Sequence, residues 1–220
     1  MKITFEQIKN DKTIQAYIRK ADQYLSAIGF TEHSFAHVGM CATKASAILK
    51  DLGYSEREQE LAKIAGYMHD IGNIVNRVDH AQSGALMAFR LLDKMGMDPE
   101  DVADVVAAIG NHDESTAVPV SAITAALILA DKSDVRRSRV RNRELVTFDI
   151  HDRVNYAVEK TELSLSGDQK SIVLKIKIDT DICVVMNYFE IFLGRMMLCR
   201  KAAEYLGLKF ELIINDTKLL

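Results

Sequence analysis

Five of the six histidines fall between residues 33 and 112, and their positions say more than their number. His37 shares a helical face with Cys41 and Ile48, because offsets of four and eleven residues nearly restore the helical angle. His69-Asp70 closes the apolar run Ile64-Ala65-Gly66-Tyr67-Met68, and Asp131 closes Ala125-Ala126-Leu127-Ile128-Leu129-Ala130. His112 continues the stripe Val102, Val105, Ile109, and His80 follows Asp79 just ahead of another helical segment. An ionised carboxylate in an apolar interior costs several kcal/mol unless something compensates it. Two such acids and several imidazoles, each at the end or edge of a separate apolar helix, call for a shared partner. A divalent cation compensates all of them at once. Imidazole nitrogen with carboxylate oxygen suits iron, manganese, cobalt, nickel or zinc, with magnesium a further choice, and does not select among them.

The elements that must carry these residues read as mainly helical. Apolar periodicity predicts helices over residues 13–28 and 34–52, the second stopped by Gly53 in the position of a left-handed cap. Ser55-Glu56-Arg57-Glu58 has the pattern of a capping box opening a helix that ends near His69. A fourth helix is expected over 82–95, stopped by Gly96. Asp98-Pro99 opens a fifth that reaches Asn111, and the apolar stretch 120–132 forms a sixth. The period then changes. Thr161, Leu163 and Leu165 alternate before Ser166-Gly167-Asp168, and Ile172, Leu174, Ile176 and Ile178 alternate after it, as in a hairpin with Gly-Asp in its turn. A long helix over 182–205, capped by Gly207, and a strand over 208–214 complete the chain. The expectation is therefore a helical domain over 1–145 and a small α+β segment over 146–220, which need not be independent units.

Composition narrows the partners. The chain has 220 residues, 48% hydrophobic and 27% charged, which is ordinary for a globular protein with an ample core. A net charge of -3 argues against a large nucleic-acid footprint but suits a small anionic ligand held by a few local cations. Cys41, Cys183 and Cys199 form an odd, widely spaced set without a CxxC pair, so neither a disulfide framework nor a zinc ribbon is expected. Reduced thiols, the lack of a signal-like N-terminal run and the lack of a long apolar span point to a cytoplasmic protein off the membrane.

Taken in order, His37, His69-Asp70 in Met-His-Asp-Ile-Gly, and Asp131 after an apolar helix resemble the HD-domain superfamily of metal-dependent phosphohydrolases over residues 31–140. The resemblance implies a helical-bundle fold and a metal held by His37, His69, Asp70 and Asp131. It also implies a second metal, since His80 in Asp-His-Ala-Gln-Ser-Gly-Ala and His112 in Gly-Asn-His-Asp-Glu stand where two-metal branches place further ligands and Asp70 bridges both ions. Some of those members carry Lys at the position of Asn73, so the phosphate-binding cation must come from elsewhere; Lys132, next to Asp131, is the expected substitute. The implied activity is attack of a metal-activated water on a nucleotide or other small phosphate ester. Asp70 is central to it, and His33 either protonates the leaving oxygen or merely starts a helix near Thr31.

Lys132, Arg136 and Arg137 are candidates to neutralise substrate phosphates. The wider run through Arg139, Arg141 and Arg143 reads as a solvated face without aromatic residues to stack bases. Asp113 and Glu114 are expected outside the ligand set, and His151-Asp152, which lacks both the apolar helix before it and Ile-Gly after it, as a turn or cap. The stripe Met186, Tyr188, Phe189, Phe192, Met196, Met197 reads as core or as a homodimer seam. Two other readings fit the same ligands: a diiron oxygenase of the same fold, and a metal-stabilised nucleotide-binding regulatory module.

Overall fold

The computed structural model describes residues 2–141 and 149–220, and the chain forms two compact units, Met1–Asp131 and Lys132–Leu220. Arg143 and the expected boundary at residue 145 lie outside the described residues.

The first unit is helical: α1 (Phe5–Asn10), α2 (Lys12–Ala27), α3 (Phe35–Asp51), α4 (Glu56–Met68), a 3-10 turn (Ile71–Ile74), α5 (His80–Lys94), α6 (Pro99–Gly110) and most of α7 (Ala122–Lys132). Helix boundaries follow the expected caps. Ser55 and Glu58 form the reciprocal capping box of α4, and Asp98 with Pro99 opens α6. Gly53 follows α3 at φ 80°, where a side chain would be strained. The short α1 falls below the length at which periodicity is informative; its own capping box, Thr4 with Gln7, is the signal that identifies it.

Two glycines set the spacing around the His-Asp doublet. A Cβ at Gly66 in α4 would lie 2.7 Å from the Ala42 backbone of α3, so the two helices touch main chain to main chain there. A Cβ at Gly72, in the 3-10 turn, would lie 2.0 Å from the His80 carbonyl oxygen and 2.4 Å from the Gly84 nitrogen. The start of α5 can therefore lie directly on the turn that follows Asp70. Asp79, the residue before α5, takes φ 56° without a side-chain cap bond, a conformation that Asp tolerates better than most residues.

The second unit holds a 3-10 turn (Arg137–Arg139), α8 (Ile150–Ala157), β1 (Val158–Leu165), β2 (Ser171–Ile178), α9 (Val185–Tyr205), β3 (Lys209–Ile214) and β4 (Thr217–Lys218). The strands form one sheet in the order β1-β2-β3-β4. β1 and β2 are the antiparallel hairpin; β2 and β3 are parallel, joined through α9, and β4 returns antiparallel. Ile172, Leu174, Ile176 and Ile178 are buried while Lys175 and Lys177 are exposed, as the alternation requires. The turn departs from expectation in detail: the left-handed residue is Gln169 at φ 56°, and Asp168 closes the turn by accepting from Ser166 Oγ and the Lys170 N–H. His151 and Asp152 sit in the first turn of α8, whose N-cap is Asp149, and the His151 side chain is exposed. Tyr188, Phe192 and Met196 are buried core on α9, whereas Met186 and Met197 are exposed. Among the described residues no helix is long and apolar enough to cross a membrane.

Candidate metal centre

Within the first unit the ends of α4 and α7, the body of α3, the start of α5 and the end of α6 bring their polar side chains together. His37, His69, Asp70, His80, His112 and Asp131 are all buried. His37 Nε2 lies 3.4 Å from Asp70 Oδ2 and 3.3 Å from Asp131 Oδ1; His69 Nε2 lies 3.3 and 3.7 Å from the same two atoms. A second group adjoins it: His80 Nε2 stands 3.2 Å from His112 Nε2, 3.5 Å from Asp70 Oδ1 and 3.9 Å from Asp113 Oδ1. Asp70 thus turns one oxygen to each group.

The imidazoles are aimed by the backbone. Nδ1 of His69 lies 2.9 Å from the Gly66 carbonyl oxygen, that of His80 3.0 Å from Arg77 O, and that of His112 2.6 Å from Ile109 O. An Nδ1–H donated to a carbonyl leaves the lone pair on Nε2, which is the arrangement that metal-ligating histidines use. Those Nε2 atoms are the ones that converge. His80 and His112, each donating through Nδ1, face one another with two acceptors, an arrangement that a cation between them satisfies.

The donors fit a cation on two further counts. Two ligands about 2.1 Å from one ion stand roughly 3.0–3.4 Å apart at bond angles of about 90–109°, which is close to most of the separations seen. His69 Nε2 and Asp70 Oδ2 are also buried with no hydrogen-bond partner, although only 3.3 Å separates them. Such orphaned atoms are costly unless a further group sits between them. With protons alone to balance the cluster, burial lowers the His69 pKa, but Asp70 and Asp131 outweigh it and raise the pKa to about 10. Burial likewise raises the Asp70 pKa, and the imidazoles around it, His69 foremost, hold it well below the usual carboxylate range.

Several residues outside the expected ligand set adjoin this cluster. Cys41 Sγ lies 3.8 Å from both ring nitrogens of His37 and groups with His37, His69 and Asp131 as a set able to hold a metal. Its position four residues from His37 was the legible signal. Asn73 donates to Asp70 Oδ1 at 2.8 Å and to the Asp70 carbonyl at 2.9 Å, fixing that carboxylate. Arg77 Nη1 reaches Asn73 Oδ1, His80 Nε2 and the vicinity of Asp70. His33 is nearly buried, its Nδ1 2.7 Å from the Thr31 carbonyl and its ring 5.5 Å from that of His37.

Lys132, Arg136 and Arg137 belong to the second unit. Lys132 is buried there. Arg136 Nε donates to Asp134 Oδ1 at 2.9 Å, and Arg137 donates to the Tyr156 carbonyl while stacking 4.7 Å above the Tyr156 ring. Arg139 differs from the expected solvated face: it is buried and donates to the Asp134 carbonyl at 2.9 Å.

Among known proteins, the HD domain family profile matches residues 34–157, just over half of the chain. An uncharacterized protein of Methanocaldococcus jannaschii is 22% identical across 80% of this chain and 76% of its own length. A solved structure described as a predicted HD superfamily hydrolase, from an uncultured Thermotogales bacterium, is 29% identical and covers 57% of this chain and 68% of that one, with a TM-score of 0.45.

Proposed function

This chain belongs to the HD domain family, and we propose that it is a metal-dependent phosphohydrolase acting on a nucleotide or other small phosphate ester. The observation that carries the reading is the pair of orphaned buried atoms, His69 Nε2 and Asp70 Oδ2, among donors that converge from five helices. In this reading His37, His69, Asp70 and Asp131 would hold one divalent metal, and His80 and His112 with Asp70 would hold a second. When bound, such ions lower the pKa of water and offset charge on phosphoryl oxygens.

The protein's own groups supply the rest. Asp70 anchors both sets of histidines, and Asn73 keeps its carboxylate from rotating. His33 is the proton donor to the leaving oxygen. Its Nδ1 is held on Thr31 O, so the mobile proton is carried at Nε2. The apolar walls of α3, α4 and α7 exclude water from behind the cluster and strengthen every electrostatic interaction within it.

The test is turnover of nucleotides and simple phosphoesters with added manganese, cobalt, iron, zinc or magnesium. At least one pair should give phosphate release, and Asp70→Ala should lower the rate by about 10³-fold or more while most metal is lost. Full activity in that variant, or no release from any substrate by the metal-loaded wild type, overturns the proposal.

A further inference from the structure

Arg77 lies in the short connection between the 3-10 turn and α5, beside the metal centre but not among its expected ligands. Its Nη1 is 3.2 Å from Asn73 Oδ1, 3.4 Å from His80 Nε2 and 3.9 Å from Asp70 Oδ1. The guanidinium carbon stands 5.6 Å from the centre of the Phe30 ring, so the group is braced on one side by an aromatic face. The side chain is 25% exposed where Asp70 is 7% and His80 is 3%. Among the groups that contact His80 and Asp70 it is the most exposed, ahead of Asp113 at 19%.

Two facts about that position bear on what it does. First, Nη1 takes the contacts to the cluster, while Nε and Nη2 make no hydrogen bond among the described residues. A guanidinium offers five N–H donors in a fixed fork, so an edge suited to a two-oxygen acceptor is available. Second, the His80 Nε2 lone pair can accept from Arg77 or bind a cation, but not both. A cation there moves Nη1 away, and it would leave two positive groups adjacent unless an anion lies between them. A phosphoryl group, with spare oxygens and up to two negative charges, offsets both at once.

We infer that Arg77 is the residue that binds the substrate's phosphoryl group at this centre, in the role that the sequence pattern assigned to Lys132. The inference rests on the phosphohydrolase reading for the identity of the anion, but it concerns binding and is tested without turnover. Asn73 is the positioning residue, tying the guanidinium to the same amide that fixes Asp70.

The experiment is calorimetric titration of the metal-loaded protein with inorganic phosphate, paired with elemental analysis of each variant. Arg77→Gln should weaken phosphate binding tenfold or more, with metal content at or above that of the wild type. Arg77→Lys should fall between, since an ammonium keeps the charge and loses the fork. Unchanged phosphate affinity in Arg77→Gln overturns the inference, and so does loss of metal in that variant, which would make the role structural. A wild type that binds no phosphate also overturns it. A wild type that binds phosphate through Arg77 yet hydrolyses no ester leaves Arg77 standing and removes the hydrolase reading alone.

Discussion

Gly72→Ala offers a direct test of how the second half of the centre is built. The added Cβ would stand 2.0 Å from the His80 carbonyl oxygen, where ordinary contact begins at 3.4 Å, so the turn and the start of α5 must part by about 1.4 Å. Both atoms involved are main chain, and the Gly84 nitrogen at 2.4 Å closes the other direction, so no side-chain rotation relieves the clash. His80 rides on the part that moves. A metal site tolerates errors of about 0.2 Å in ligand distance, several times less than this displacement. His69 and Asp70 are held by α4 and by Asn73 and should stay in place. The expected result is loss of one metal equivalent relative to wild type, with the other retained. Forcing atoms into a packed contact should also lower stability by about 1–3 kcal/mol, or roughly 2–12 °C in Tm for a chain of this size. Elemental analysis after metal loading, with thermal melts of the same samples, reads both quantities. Gly39→Ala is the comparison. It lies within α3 with nothing within 4 Å of its would-be Cβ, so the same substitution should leave metal content unchanged and stabilise the helix by about 0.5–1 kcal/mol. A Gly72→Ala protein with wild-type metal content and Tm would refute the claim that main-chain contact at this turn positions His80.

Two further outcomes follow from the same geometry. His112→Ala removes the imidazole 3.2 Å from His80 and should lower metal content toward one equivalent while sparing the group around His37; unchanged stoichiometry would dismiss the two-metal arrangement. The stabilisation conferred by metal should grow with pH. The His69 pKa is raised to about 10, so in chelated protein its proton stabilises the fold fully below about 6.5, the ordinary value, and this contribution is lost as pH rises toward 10. Asp70, depressed below its ordinary value, stays ionised throughout that window and does not oppose the trend. Melts of chelated and metal-loaded protein between pH 6.5 and 10 should therefore diverge, and a constant gap would contradict the buried His69 proton as their source.

Much of this protein can be read from local signals. Hydrogen-bonded caps such as Ser55 with Glu58, and apolar periods such as those of α3 and α6, are properties of a few consecutive residues, so the helices that carry His37, His69, Asp70 and His112 were legible. The fully apolar α7 showed that Asp131 would be buried, and burial of that acid is what pointed to a cation. The alternation around residue 167 likewise marked the hairpin. Signals too short to register were lost: α1 has six residues, and α8 and β4 are similarly brief.

Residue types and their order along the chain fixed which donors could meet and that a divalent ion would suit them. Only the folded arrangement decided that Arg77 reaches His80, that Asn73 holds the Asp70 carboxylate, and that β2 and β3 run parallel. The physical reason is that helical periodicity is set by neighbours within four residues. The separation of Asp70 Oδ1 from His80 Nε2 depends instead on how closely Gly72 and Gly84 let two backbones approach, which is a property of packing between elements.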